Sequence, residues 1–415
     1  MSYSFMHVKI GELVVKANTG LDAIKRAPIV SERTGIKCLR IQDISQKKGY
    51  SDWGNTLVSD SDFNNFKLNR NDILIARTGA TIGVSKIIKN NYDSVYNNGL
   101  IRLIPNINIV NPFYLYYNLL TPTYKGHIYS ISGGTATQPN MRINHLLDYN
   151  IQIPELKIQN KISSILLSLD NKIELNNKIN DNLEELAQTL YKHWFVDFEF
   201  PNEEGLPYKS SGGKMVESEL GLIPEGWNVE YLNNLFNFVG GSQPPKKEHI
   251  YEYKEGYVRF IQNRDYSGNN NHLTFIKEST RNKVCNKYDI MMDKYGEAGK
   301  VRFGIEGAYN VALAKIDTDL KYREFLRRYF EQKQIQNYIL NSSQASTRPS
   351  VNASVFVNLK VVIPSNNLLE KFDKVSFDII KKNLLIKEEN FKLEKLRDLL
   401  LPKLMSGEIR VPIKE

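Results

Sequence analysis

Cysteine is almost missing from this chain. Two occur in 415 residues, Cys38 and Cys285, one in each half. That excludes a disulfide-stapled fold and leaves two small buried thiols in a reducing compartment as the expectation. The six histidines (7, 127, 145, 193, 249 and 272) are scattered, so neither residue type offers the spacing of a metal site. Long apolar runs are also missing: none approaches the roughly 20 residues that span a bilayer. The opening Met1-Ser-Tyr-Ser-Phe-Met-His7 has neither the basic nor the apolar region of a signal peptide. A cytoplasmic protein without membrane attachment is expected. Nucleotide loops are missing as well. No Walker Lys-Ser/Thr accompanies Gly79-Ala-Thr-Ile-Gly83 or Gly296-Glu-Ala-Gly299, which read as tight turns beside strands.

What is present is positive charge and repetition. The formal net charge of +9 favours an anionic partner. The second half repeats the first: Thr137 and Thr347, Pro139 and Pro349, Ile153 and Ile363, and Pro154 and Pro364 all fall 210 residues apart. Upstream the shift drifts, from 221 at Gly35/Gly256 to 217 at Gly79/Gly296 and 213 at Asn97/Asn310. The framework therefore repeats while loops within it differ in length, which suggests two sites of one kind with different targets.

Short strand-like runs punctuated by Gly and Asn turns dominate residues 1–154 and again 223–364. Each globule leads into a long helix with heptad patterning, over 155–197 and 365–403. The apolar series are Ile162, Ile165, Leu169, Ile179, Leu183, Leu186, Leu190 in the first and Phe372, Val375, Ile379, Ile386, Leu393, Leu396, Leu400 in the second. Lys172, Asn176, Lys382 and Glu389 are the polar exceptions. A helix of this length cannot bury such a stripe on its own globule, so pairing of the two helices is the simplest solution. Residues 198–222, rich in Pro, Gly and Ser, read as a linker, and 404–415 as a tail. Trp194 and Phe195, with Leu400, Leu401, Leu404 and Met405 in the second copy, suit either partner-facing anchors or end-caps of the coil. The fold class expected is α+β: two repeated globules, each followed by a long helix, with the helices paired as an antiparallel coiled coil.

The run His193-Trp-Phe-Val-Asp-Phe198, the segment Gly221-Leu-Ile-Pro-Glu-Gly-Trp227, and the end Leu396-Arg-Asp-Leu-Leu-Leu-Pro-Lys-Leu-Met-Ser-Gly-Glu-Ile-Arg-Val411 resemble type I restriction-modification specificity subunits. The resemblance covers essentially the whole chain, including its internal repeat. One departure is that the first globule lacks the Ile-Pro-x-Gly-Trp segment. It begins with His7-Val-Lys-Ile-Gly-Glu-Leu13, which matches Val229 to Leu235 only loosely.

The resemblance implies a non-catalytic subunit in which each globule is a target recognition domain for one half of a bipartite double-stranded DNA sequence. The coiled coil would space the halves and dock modification (methyltransferase) and restriction (translocase-nuclease) subunits. S-adenosylmethionine, ATP and Mg would sit on those partners, with no cofactor in this chain. By donor and acceptor chemistry in loops, the candidate DNA contacts are Lys47, Lys48, Arg77, Thr78, Thr135, Thr137, Gln138, Asn140 and Arg142 in the first copy. In the second they are Asn263, Arg264, Lys294, Tyr295, Gln344, Ser346, Thr347, Arg348 and Ser350.

Two other readings are open to test. A coiled-coil scaffold whose globules bind proteins predicts no sequence preference on DNA. A self-sufficient adenine methyltransferase would build on Asn111-Pro-Phe-Tyr114, but no Gly-rich cofactor loop precedes it, and an N-cap followed by Pro explains the same letters.

Overall fold

The computed structural model describes residues 4–131, 140–267, 273–343 and 350–412. The chain divides into two compact units, 1–175 with 390–415, and 176–389.

In the first unit, strand β1 (Met6–Lys9) pairs antiparallel with β10 (Asn150–Ile153) and so ties the two ends of the globule together. Between them, β2 (Val14–Thr19), β9 (Leu100–Pro105), β6 (Ile73–Ala76) and β7 (Ser85–Ile87) form an antiparallel sheet in that order. A smaller sheet joins β3 (Ile29–Val30), β5 (Gly54–Thr56), β4 (Lys37–Leu39) and β8 (Ser94–Tyr96), with β4 and β8 parallel. The uninterrupted apolar run of β6 follows from burial on both faces. Ile73 and Ile75 enter the cluster formed with Tyr114, Leu115 and Ile158, while Leu74 and Ala76 enter the one formed with Leu39 and Tyr96.

The second unit repeats this plan. Strands β14 (Phe236–Gly240), β21 (Leu313–Thr318), β18 (Ile290–Asp293) and β19 (Val301–Arg302) give one sheet. Strands β16 (Phe275–Lys277), β15 (Tyr257–Ile261), β20 (Gly307–Tyr309) and β17 (Val284–Cys285) give the other in that order, with β15 and β20 parallel. The two-sided burial recurs too: Ile290 and Met292 face one cluster and Met291 the other. Strand β13 (Asn228–Tyr231) pairs with β22 (Lys360–Ile363) as β1 pairs with β10. The loose match of His7–Leu13 to Val229–Leu235 is thereby explained, because both are a strand followed by a short 3-10 turn.

The segment expected as a linker is more ordered than a tether. It carries a hairpin, β11 (Met215–Ser218) with β12 (Gly221–Pro224), and Phe200 stacks on Tyr208 at 4.6 Å and on Trp227 at 5.1 Å. Its aromatic residues give it a small core despite its Gly and Ser content.

The long helices span Leu156–Tyr191 and Asn366–Met405, and each contributes one part to each unit. In the first unit Ile158, Ile162 and Leu166 cluster with Leu401, Leu404 and Met405. In the second, Tyr191 and Phe195 cluster with Leu369 and Phe372. The start of each helix lies beside the end of the other, so the pair is antiparallel. Phe195 meets Phe372 edge-on at 4.8 Å, and Trp194 packs on the same ring at 5.9 Å. These two aromatics therefore close the coil, as Leu401, Leu404 and Met405 do in the first unit.

The heptad register needs correction at every second seam position. Buried positions run Ile162, Leu166, Ile173, Asn176, Asn180, Ala187 in the first helix and Phe372, Ser376, Ile379, Asn383, Ile386, Asn390 in the second. The step from 162 and from 372 is thus four residues, where the apolar pattern suggested three. Leu186, Val375 and Leu396 are exposed, at 55%, 45% and 43%, and so are Lys172, Lys382 and Glu389. Ile165, Leu169, Ile179, Leu183, Leu190, Leu393 and Leu400 are half-buried. In the last helix the second seam position is polar throughout (Ser376, Asn383, Asn390, Arg397), so an apolar count takes Val375 and Leu396 instead. In the first helix both candidates are apolar at Ile165 and Leu166 and at Leu186 and Ala187, so the count does not choose between them.

Candidate nucleic-acid interface

In the first unit, four chain segments meet where β6 ends. The Arg77 N–H donates to the Gly99 carbonyl at 3.0 Å, and the Arg77 carbonyl accepts from the Met141 N–H at 2.8 Å. Thr78 bridges to Asn140. The Arg77 guanidinium then turns onto Asn140, with Nε and Nη2 donating to Oδ1 at 3.3 and 3.1 Å. The fourth segment arrives through Gly20. Leu21 bridges to Asn97, and a Cβ on Gly20 would stand 2.2 Å from the Tyr96 carbonyl oxygen. Only a residue without a side chain permits that approach.

The same geometry recurs at the end of β18. The Lys294 N–H donates to Ala312 at 2.8 Å, and its carbonyl accepts from Val351 at 3.0 Å. Ser242 bridges to Asn310, and a Cβ on Gly241 would stand 2.1 Å from the Asn310 carbonyl oxygen. Asn263 reaches this end as well, its Nδ2 donating to the Tyr295 carbonyl at 3.1 Å. The Lys294 ammonium lies 5.9 Å from the centre of the Tyr295 ring. Asn97 Oδ1, Ser242 Oγ and Asn263 Oδ1 are buried without a hydrogen-bond partner among the described residues.

Of the sequence candidates, Arg77, Thr78 and Asn140 are thus brought together in one copy, and Asn263, Lys294 and Tyr295 in the other. Arg142 and Arg264 are exposed, and Ser350 is half-buried one residue before Val351. Thr135, Thr137, Gln138, Gln344, Ser346, Thr347 and Arg348 lie outside the described residues. Lys47 is exposed with φ of 52°, while the Lys48 ammonium stands 3.7 Å from Asp43 Oδ1. Among the described residues no hydrogen bond links either lysine to the Arg77 group. Gly20, Gly241, Asn97, Ser242 and Asn310 were not among the candidates. The repeat of Tyr96-Asn97 as Tyr309-Asn310 is the sequence signal that could have found this end.

The other motifs resolve into structure. Asn111 Oδ1 accepts from the N–H groups of Phe113 and Tyr114 at 2.9 and 3.1 Å, capping the helix Pro112–Asn118, and the Tyr114 ring is fully buried. Gly79 and Gly83 adopt positive φ in the turn between β6 and β7, as Gly296 and Gly299 do between β18 and β19. Burial pushes the Cys38 and Cys285 thiols up to about 12, which makes both unreactive. Among the described residues no group of three or more His, Cys, Asp or Glu could hold a metal ion, and no helix is long and apolar enough to cross a membrane.

A family model described as type I restriction modification DNA specificity domain matches residues 5–185 and 224–394. The type I restriction enzyme MjaIX specificity subunit of Methanocaldococcus jannaschii is 30% identical over 357 residues, covering 81% of this chain and 78% of that protein. The HindI specificity subunit of Haemophilus influenzae is 25% identical over 407 residues, covering 82% and 87%. The crystal structure of a type I restriction-modification system S subunit from M. genitalium has the same fold, with a TM-score of 0.62 at 17% identity, over 100% of this chain and 98% of that one.

Proposed function

The chain belongs to the type I restriction-modification DNA specificity family, and on that premise we propose that it is the DNA-reading subunit of such a complex, without catalytic activity of its own. Each globule reads one half of a bipartite double-stranded target, and the helix pair sets the gap between the halves. Modification and restriction subunits dock on this chain and carry S-adenosylmethionine, ATP and Mg. The complex works in the cytoplasm.

The observation that carries this reading is the recurrence of one loop assembly, around Arg77 and around Lys294, in a protein of net charge +9. Donor-rich side chains are held there by backbone pairing. Equivalent frames with different side chains, Arg77 with Asn140 against Lys294 with Ser350, suit two readers of different sequence.

The test is methylome sequencing of a methylation-free host that expresses this chain with the methyltransferase subunit of its complex. A split motif of two short tracts around a fixed gap, with methyladenine in each half, is expected. A soluble complex that leaves no motif would overturn the reading in favour of a protein-binding scaffold. Binding of the purified complex should also weaken steeply with salt, because neutralised phosphates release counterions.

A further inference from the structure

We propose that Arg77 reads a guanine in the half-site of the first recognition domain, with Asn140 as its positioning residue. The inference rests on the DNA-reading function above and adds which side chain reads which base.

The argument starts from the backbone. Both polar backbone groups of Arg77 are used, toward Gly99 and from Met141, so the Cα is fixed at the strand end. The side chain is fixed as well. Nε and Nη2 both donate to Asn140 Oδ1, one edge of the planar guanidinium. The remaining edge carries Nη1–H and the second Nη2–H, and among the described residues neither has a hydrogen-bond partner. Two parallel donors held in a plane match the O6 and N7 acceptors of guanine in the major groove. The same fork can grip a phosphate bidentately, but such a grip carries no base preference, and that preference is what the experiment reads.

Asn140 is not itself the reader. A bidentate contact to adenine uses the side-chain oxygen and nitrogen together, and the Asn140 oxygen is occupied by Arg77. The second domain offers a contrast. At the equivalent position Lys294 is a point charge with no fork, and Ser350 replaces Asn140. The clamp is therefore a property of one half of the target.

The experiment uses the complex of the full chain with its methyltransferase subunits. Methyl transfer is measured on a panel of duplexes carrying every single base-pair substitution in both half-sites. Arg77→Gln should lower transfer to the cognate duplex about tenfold to a hundredfold. It should also abolish the preference at one G·C pair of one half, with all preferences in the other half intact. Arg77→Lys, which keeps charge and stem but loses the fork, should weaken discrimination at that same pair. Asn140→Ala should give a smaller loss there and add little to Arg77→Gln, whereas Asn140→Asp, which keeps the acceptor, should restore discrimination.

An equal loss on every duplex with all preferences unchanged would make Arg77 a phosphate contact and overturn the proposal. So would an Arg77→Lys complex that discriminates as the parent does. A parent complex with no preference at any pair is a separate result, and it would remove the DNA-reading function itself.

Discussion

Asp170 and Arg397 form an ion pair at 3.0 Å between the two long helices in the first unit. The other Asp170 oxygen accepts a 2.7 Å hydrogen bond from the Tyr117 hydroxyl on the helix Pro112–Asn118. One carboxylate thus holds the recognition domain to both helices. Both partners of the ion pair are about a quarter exposed, so solvent screens it only partly. Asp170→Ala should destabilise the first unit by about 1–3 kcal/mol. Asp170→Asn, which can still accept from Tyr117, should cost less. Denaturant unfolding of the two variants checks this, and equal losses would show that the tyrosine bond contributes nothing.

The second seam position is polar throughout the last helix and at Asn180 in the first. Asn180 and Asn383 are buried, and their Oδ1 atoms lack a hydrogen-bond partner among the described residues. An unpaired buried amide oxygen costs about 1–3 kcal/mol, and a leucine of similar volume removes that cost. Asn180→Leu and Asn383→Leu should each raise the melting temperature. The natural residues then serve register and orientation rather than stability. Melting temperatures that fall in both variants would mean that the amides are satisfied by water and stabilise the pair.

This seam also shows where the sequence could be read and where it could not. Two globules, two long helices and their pairing followed from the 210-residue repeat, because strands, turns and heptads leave periodic apolar patterns. The register did not follow, because Ser376, Asn383, Asn390 and Arg397 put polar groups where a count of apolar residues expects none. The loop assembly was half legible. Arg77, Asn140 and Lys294 were visible by donor chemistry, and Tyr96-Asn97 by repetition. Gly20 and Gly241 were not, since Thr19-Gly-Leu21 and Gly240-Gly-Ser242 share only the glycine. Their role lies in which distant carbonyl they touch, and a linear pattern does not carry that.

Burial in the second unit pushes the Glu331 carboxyl up to about 7, with Arg328 pulling it back down. Arg328, itself buried, pairs with both Glu331 and Glu184. The folded state therefore holds the Glu331 proton at pH values where the unfolded chain, with an ordinary glutamate near 4.5, has lost it. Between about pH 4.5 and 7 the contribution of this group to stability falls as pH rises. Glu331→Gln abolishes that fall, so its melting temperature relative to the parent should be higher at pH 8 than at pH 5. A difference that is flat across this range would place the ionised carboxylate in the fold at both values.

Gly20 and Gly241 give the sharpest separation of the two half-sites. A methyl group on Gly20 would meet the backbone oxygens of Tyr96 and Asn97 at 2.2 and 2.4 Å, and neither can move without breaking the bridge to Leu21. On Gly241 it would meet Asn310 and Tyr309 oxygens at 2.1 and 2.4 Å. At Gly79 nothing lies within 4 Å, and the strain is only that of a φ of 78°. Gly20→Ala should therefore cost several times the roughly 1 kcal/mol expected of Gly79→Ala. In the complex, Gly20→Ala should erase preference in one half of the target and Gly241→Ala in the other, each leaving its opposite half readable. If either variant blurred both halves equally, the two loop assemblies could not be independent readers.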